Sequence, residues 1–229
     1  MRQLTLKYPL AMDMNPTSFI AESYRSLRTN IEFSSFDHDL KTIAVTSASP
    51  LEGKTTTAVN MATAFAQAGE NVVLIDANFR KPTIHSIFNK DNRGGLSNII
   101  AKQYSVHEMV QETPIDNLSL ITSGPVPPNP SEMLSSRYFT EMLDELKVNY
   151  SIVVIDTPPA LIVTDAQVVA AQCDGVILVV NAGKAKREAV VKVKEHLEHA
   201  RARLLGVVLN NAKRNKRNKQ ENFYYENRA

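Results

Sequence analysis

Along the chain, short runs of β-branched and aliphatic residues alternate with longer stretches in which apolar residues return every three or four positions. The short runs are Thr42 to Thr46, Val72 to Ile75, Leu118 to Ile121, Ile152 to Ile155, Val176 to Val180 and Leu205 to Leu209. Their near-continuous Val, Ile and Leu content predicts strands buried on both faces. Between them, helical periodicity predicts helices over about Lys54 to Ala68, Glu132 to Lys147, Thr164 to Gln172 and Lys186 to Ala202, with an irregular, helix-containing stretch from Phe79 to Asn117. Strand and helix in alternation specify an α/β class, a mostly parallel sheet flanked by helices on both faces.

Two regions stand outside the alternation. A helix is predicted from about Thr17 to Ser34, where Ile20, Tyr24, Leu27 and Ile31 share a narrow stripe and Glu22, Arg25 and Arg28 occupy a separate arc. One face then packs on the chain's own core while the other is free for a partner. After Asn211 the chain becomes polar, and so few apolar residues precede Phe223 that the segment is expected to be mobile. The expected organisation is an N-terminal segment over 1–35, a core over 36–211 and a basic tail over 212–229.

Composition adjusts this picture in three ways. With 229 residues and 43% hydrophobic content the chain supports one well-buried core. The net charge is +2, but the tail holds six Lys/Arg against two Asp/Glu, so it carries +4 and the remainder −2. The body therefore lacks the basic balance of a nucleic-acid-binding surface. A single cysteine, Cys173, excludes an internal disulfide and reads as a small core residue in a reducing compartment. The N-terminus has no signal-peptide apolar region, and no stretch reaches the roughly 18 uninterrupted apolar residues of a membrane span.

The chemistry begins directly after the first strand, at Ala48-Ser49-Pro50-Leu51-Glu52-Gly53-Lys54-Thr55. This matches GxxxxGK[ST] except that Ala48 replaces the first glycine. A loop leaving a strand and opening a helix offers backbone N–H groups and the positive helix end to phosphate oxygens, as in a P-loop NTPase fold. Ser49, Pro50, Leu51, Glu52, Gly53, Lys54, Thr55 and Thr56 are therefore candidate nucleotide contacts. Lys54 is placed to reach the β- and γ-phosphates, and the Thr55 hydroxyl to ligate Mg²⁺. Asp76 and Asp156 each close a predicted strand, and ligands gather at the carboxyl ends of parallel strands. Thr55, Asp76 and Asp156 are thus the candidate metal ligands. Asn210, at the end of the last strand, is a candidate contact for the adenine edge. Asn210-Asn211-Ala212-Lys213 does not match the Asn-Lys-x-Asp that reads guanine.

These segments resemble the Walker A, A′ and B motifs of the deviant P-loop ATPases, a superfamily that includes cell-division and plasmid-partition ATPases. Ser49 stands where those ATPases carry a signature lysine. Ser47 to Thr55, Asp76-Ala77-Asn78-Phe79-Arg80-Lys81-Pro82, Ser123 to Pro130 and Asp156-Thr157-Pro158-Pro159 resemble instead the bacterial protein-tyrosine kinases of exopolysaccharide and capsule synthesis. The resemblance runs from about Glu22 to Asn210. In its second motif the family usually has Asp-x-Asp, where this chain has Asp76-Ala77-Asn78.

The resemblance implies an ATP- and Mg²⁺-dependent tyrosine autokinase that acts in polysaccharide and biofilm-matrix production. Lys54 and Asp76 would be its catalytic residues, with Asp76 accepting or orienting the tyrosine proton. Tyr224 and Tyr225 would be phosphorylated on neighbouring subunits. Glu22, Arg25 and Arg28 match the ExxRxxR pattern with which the family pairs subunits into a ring. A separate transmembrane adaptor of the chain-length-regulator type is implied, which would bring a cytoplasmic kinase to the inner face of the membrane. Further protein-tyrosine substrates and an opposing phosphatase also follow from the family. A partition-type assembly ATPase and an ATP-binding scaffold of an export complex are the alternatives.

Overall fold

The structure, a computed structural model, describes residues 11–34 and 39–212. Within these residues seven strands form one sheet: β1 (Thr42–Ser47), β2 (Val72–Asp76), β3 (Gln111–Glu112), β4 (Leu118–Ile121), β5 (Ile152–Asp156), β6 (Gly175–Asn181) and β7 (Leu204–Asn210), in the spatial order β3-β4-β2-β5-β1-β6-β7. Every pairing is parallel except β3 with β4. From β1 the chain crosses past β5 to β2, while β6 and β7 build the opposite side. This reversal leaves the carboxyl ends of β1, β2 and β5 around one crevice, where open parallel sheets bind ligands.

Side-chain alternation sends each strand's residues to two cores. Ile43, Val45, Leu74, Val154 and Val179 face helix α3 (Lys54–Ala66). Ala44, Val73, Ile155 and Leu178 face the opposite core, where α8 (Arg137–Asn149), α9 (Asp165–Ala170) and α10 (Arg187–His199) contribute Phe139, Val169 and Leu197. Each fully buried Val, Leu or Ile contributes about 1.5–3 kcal/mol. The sheet is therefore the rigid platform under the loops at its carboxyl edge. At the other end of the sheet, Asp174 joins β6 to β1 by accepting the Thr42 N–H and hydroxyl and the Lys41 N–H.

Helix α3 is buried from Thr57 to Ala66 because it is covered on both sides. Its outer face carries α1 (Ala11–Met14) and α2 (Phe19–Ser34), with Met12, Ala21 and Ala64 closing a small core against Tyr24. The Met12 N–H donates to Asn60 Oδ1 at 3.3 Å. The helix that opens at the phosphate loop is thereby held from the sheet side and from the N-terminal side.

The expected α/β architecture is present, with four departures. Ile20 is 56% exposed, and Ala21 takes the buried position one residue on, because its small side chain lets α2 approach Ala64 closely. The helix expected over Glu132 to Lys147 is two, α7 (Pro130–Leu134) and α8. Ser135 and Ser136 donate their hydroxyls to the carbonyls of Glu132 and Met133, and Ser136 turns extended, which ends one helix and starts the next. Strand β7 is the sheet edge and is only half-buried, with Val207 and Leu209 facing outward. Short β3, at the other edge, lies in the stretch expected to be irregular, together with the short helices α4 (Ile84–Ile87), α5 (Leu96–Ile100) and α6 (Val106–Met109). The tail with Tyr224 and Tyr225 lies outside the described residues.

Candidate functional site

The phosphate loop connects β1 to α3. Ser49, Pro50, Leu51 and Thr56 are exposed around it, Glu52 is buried, and Gly53, Lys54 and Thr55 are half-buried. Two residues bend it into the left-handed region, Leu51 with φ 63° and Gly53 with φ 98°. Ala48, by contrast, shows no positive φ, so the methyl group in place of the usual glycine is accommodated. The Glu52 carboxylate turns inward and accepts the Ser49 N–H at 2.9 Å. From the far side of the loop, Asn210 Nδ2 donates to the Glu52 carbonyl at 2.9 Å. The loop is thus fixed by its own side chain and by the end of β7.

Asp76 and Asp156 face each other in register on β2 and β5, and both are fully buried. The Asp76 carboxylate accepts three backbone N–H groups, from Asn78 at 3.1 Å, Thr83 at 2.9 Å and Ile84 at 3.0 Å. This folds residues 77–84 back over the strand end. Burial raises its pKa above the ordinary carboxylate range, against the opposing pull of those bonds and of His85. Asn78, expected as the departure from Asp-x-Asp, is itself buried and accepts the Lys81 N–H through Oδ1 at 3.3 Å.

Asp156 differs in its partners. Its Oδ2 accepts the Thr55 hydroxyl at 2.6 Å, and its Oδ1 is buried with no hydrogen-bond partner. Burial pushes its pKa up to about 7; the Lys54 and Thr55 groups pull it down and the Asp76 charge pushes it further up. An orphaned carboxylate oxygen beside a threonine hydroxyl and a second buried carboxylate is a donor set that suits a hard divalent cation. Among the described residues no three His, Cys, Asp or Glu side chains cluster as a metal cage. A cation held by Thr55 and Asp156 would need water and phosphate oxygens to complete its shell, the ligand set that Mg²⁺ ordinarily takes with nucleotides.

A further group at the same edge was not predicted from the sequence. Arg80 grips Asp165 through Nε at 3.0 Å and Nη2 at 3.2 Å, and the Ser131 hydroxyl donates to the same fully buried carboxylate. The loops that follow β2, β4 and β5 are cross-linked at this point. The sequence signal was a lone carboxylate at the start of the apolar segment 165–170.

The α2 residues expected at a subunit contact have partners within the chain. Arg25 pairs with Glu22 at 2.9 Å and donates to the Pro16 carbonyl at 2.6 Å. Arg28 donates to the Ala64 carbonyl at 3.3 Å and pairs with Glu32. Beside them, a groove of about 350 Å³ runs between α2 and β7, lined by Phe19, Ser23, Leu27, Asn30, Val207 and Val208.

A strand-loop-helix phosphate cradle with two strand-end aspartates over a parallel sheet defines a P-loop nucleotide-binding protein. Residues 40–205 match the family described as AAA domain, and the chain belongs to it. The chain is 45% identical over 201 residues to tyrosine-protein kinase YwqD of Bacillus subtilis (strain 168), covering 88% of this chain and 85% of that one. It is 40% identical over 217 residues to the putative tyrosine-protein kinase CapB of Staphylococcus aureus, covering 95% of both. The solved chimerical protein CapA2B2 superimposes with a TM-score of 0.86 at 42% identity, over 90% of each chain. Within the P-loop proteins, then, this chain belongs to the bacterial tyrosine-protein kinases.

Proposed function

We propose that this protein transfers the γ-phosphoryl group of ATP to tyrosine, acting on Tyr224 and Tyr225 of neighbouring copies, and that this activity governs exopolysaccharide or capsule production. The observation that carries the reading is the Thr55–Asp156 pair at 2.6 Å, with the second Asp156 oxygen unpartnered and Asp76 in register beside it. Family membership supplies the acceptor chemistry.

Phosphoryl transfer asks chiefly for positioning and charge stabilisation. The loop N–H groups and Lys54 would hold the phosphate chain, and Thr55 and Asp156 would hold Mg²⁺. When bound, Mg²⁺ neutralises charge developing on the β- and γ-phosphate oxygens. Asp76 accepts the tyrosine proton, a role for which a carboxylate with a pKa above the ordinary range is suited. Its three backbone bonds keep it fixed at the strand end. As a direct metal ligand it is less well placed than Asp156, since both of its oxygens are already engaged. Asp165 holds Arg80 and with it the loop that follows Asp76.

Copies assemble through the outer face of α2, where Glu22 and Arg25 stand half-exposed and Phe19 and Ile20 are exposed. No helix of the described residues is long and apolar enough to cross a membrane. Family membership supports recruitment to the inner membrane face by a separate adaptor. Mixing two chains that cannot label themselves tests the transfer between copies: Lys54→Met with an intact tail, and Tyr224→Phe/Tyr225→Phe with an intact site. Phosphotyrosine on the Lys54→Met tail is the expected result. A mixture as unlabelled as either chain alone overturns transfer between copies.

A further inference from the structure

We infer that Asn210 is the latch of the phosphate loop, a positioning residue whose side-chain amide fixes the Glu52–Gly53 peptide and so orients the N–H groups that receive phosphate. The inference rests on the reading that this loop binds the phosphates of a nucleotide. It assigns Asn210, a candidate for the adenine edge, to the other end of the ligand.

The backbone of Asn210 is immobilised first. It pairs with Asn181 at the end of β6, and its carbonyl accepts the Ala182 N–H at 2.8 Å. Its side chain is then oriented at both ends. Nδ2 donates to the Glu52 carbonyl at 2.9 Å, and Oδ1 accepts the Asn211 N–H at 3.0 Å. One neighbour is an acceptor and the other a donor, so reversing the amide breaks both bonds.

The loop is shaped to receive this amide. Gly53 has φ 98°, and a Cβ built on it lies 2.0 Å from Asn210 Nδ2. The amide occupies space that only glycine leaves open. A side chain at position 53 would be strained by its backbone and would expel Asn210 as well. On the inner side, the buried Glu52 carboxylate holds the Ser49 N–H. Residue 52 is therefore gripped through its carbonyl from β7 and through its carboxylate from within the loop. A peptide plane held by its carbonyl has its N–H direction set too, and here that N–H belongs to Gly53, next to Lys54. The latch thus prepares the loop for a polyphosphate before any base is bound.

This separates a latch from a base reader, because inorganic tripolyphosphate has the phosphates and no base. Calorimetric titration of the full chain with Mg-ATP and with Mg-tripolyphosphate is the test, on wild type, Asn210→Ala and the near-isosteric Asn210→Asp, with thermal unfolding as the check on folding. Wild type is expected to bind both ligands. Asn210→Ala should weaken both by the same factor, about tenfold for one hydrogen bond and the order it imposes. Asn210→Asp, which sets a carboxylate against the Glu52 carbonyl, should weaken both further and serves alone if the alanine variant does not fold. Loss of ATP affinity with tripolyphosphate unaffected would make Asn210 a base reader and overturn the latch. Unchanged affinity for both ligands, or wild type that takes ATP but no tripolyphosphate, would overturn it equally. Wild type that binds neither ligand removes the nucleotide reading itself, and the latch with it.

Discussion

Thr55 Oγ1 donates to Asp156 Oδ2 across 2.6 Å and ties the first turn of α3 to the end of β5. Two elements separated by 101 positions in the chain thereby share one hydrogen bond at the point where the phosphate loop ends. The hydroxyl and the carboxylate are adjacent, so both are in place to hold a cation.

The charge of Asp156 gives this arrangement a pH signature. Its folded pKa of about 7 stands above the value of roughly 3.9 for an unfolded aspartate. A raised carboxylate contributes stability that is present below the unfolded pKa and lost as pH rises through the folded one. Asp76, shifted in the same direction, adds to the effect. Metal-free protein should melt at a lower temperature at pH 8 than at pH 6, and Asp156→Asn should remove most of that difference. Mg²⁺ with nucleotide should restore the loss at pH 8 in wild type and not in Asp156→Asn. Melting temperatures that match at both pH values in metal-free wild type would contradict a buried Asp156 carboxylate with one unpartnered oxygen.

The Arg80–Asp165 pair predicts an asymmetry between its two ends. Removing Arg80 leaves a fully buried carboxylate with only Ser131 against it, whereas Asp165→Asn retains the shape and the Ser131 contact. Arg80→Ala should cost about 2–3 kcal/mol, at or below the usual value for a broken buried pair because the Arg80 side chain is 45% exposed. Asp165→Asn should cost less. Urea unfolding of both variants reads the order directly, and the reverse order would contradict the pairing.

The site was legible where it is local and hidden where it is not. Gly53-Lys54-Thr55 is contiguous and sits between a strand and a helix that periodicity reveals, and Asp76 and Asp156 follow because strands end in them. Arg80 and Asp165 are 85 positions apart, and Asn210 and Glu52 are 158 apart. Those pairs exist only because the sheet order brings their loops together, which no local pattern encodes. Strand β7 shows the same limit. Its Val and Leu content reads like that of the central strands, yet its place at the edge depends on which strands pair. On α2 the predicted stripe holds at Tyr24, Leu27 and Ile31 and fails only at Ile20, where the small Ala21 packs more closely than Ile20 can.

The α2 arginines divide by the partners they reach. Arg25 is held at the surface by Glu22 and the Pro16 carbonyl, while Arg28 donates to the Ala64 carbonyl and so anchors α2 to α3. Arg25→Ala should therefore reduce assembly with little change in melting temperature, whereas Arg28→Ala should reduce assembly and stability together. Light scattering paired with thermal unfolding separates the two. Unchanged particle mass in both variants would remove the α2 face as the subunit contact.

The proposed transfer of phosphate to tyrosine takes place in the crevice around Lys54, Thr55, Asp76 and Asp156. The most direct measurement is mass-spectrometric mapping of phosphate on the purified chain after incubation with Mg-ATP, with and without the cytoplasmic tail of the proposed adaptor, beside Lys54→Met and Asp76→Asn. Phosphotyrosine at Tyr224 or Tyr225 is expected in wild type under at least one of these conditions, with a loss of at least a hundredfold in each variant, in line with the removal of a charge-stabilising or proton-accepting group. Wild type without phosphotyrosine under either condition, or equal labelling of Lys54→Met, would contradict it.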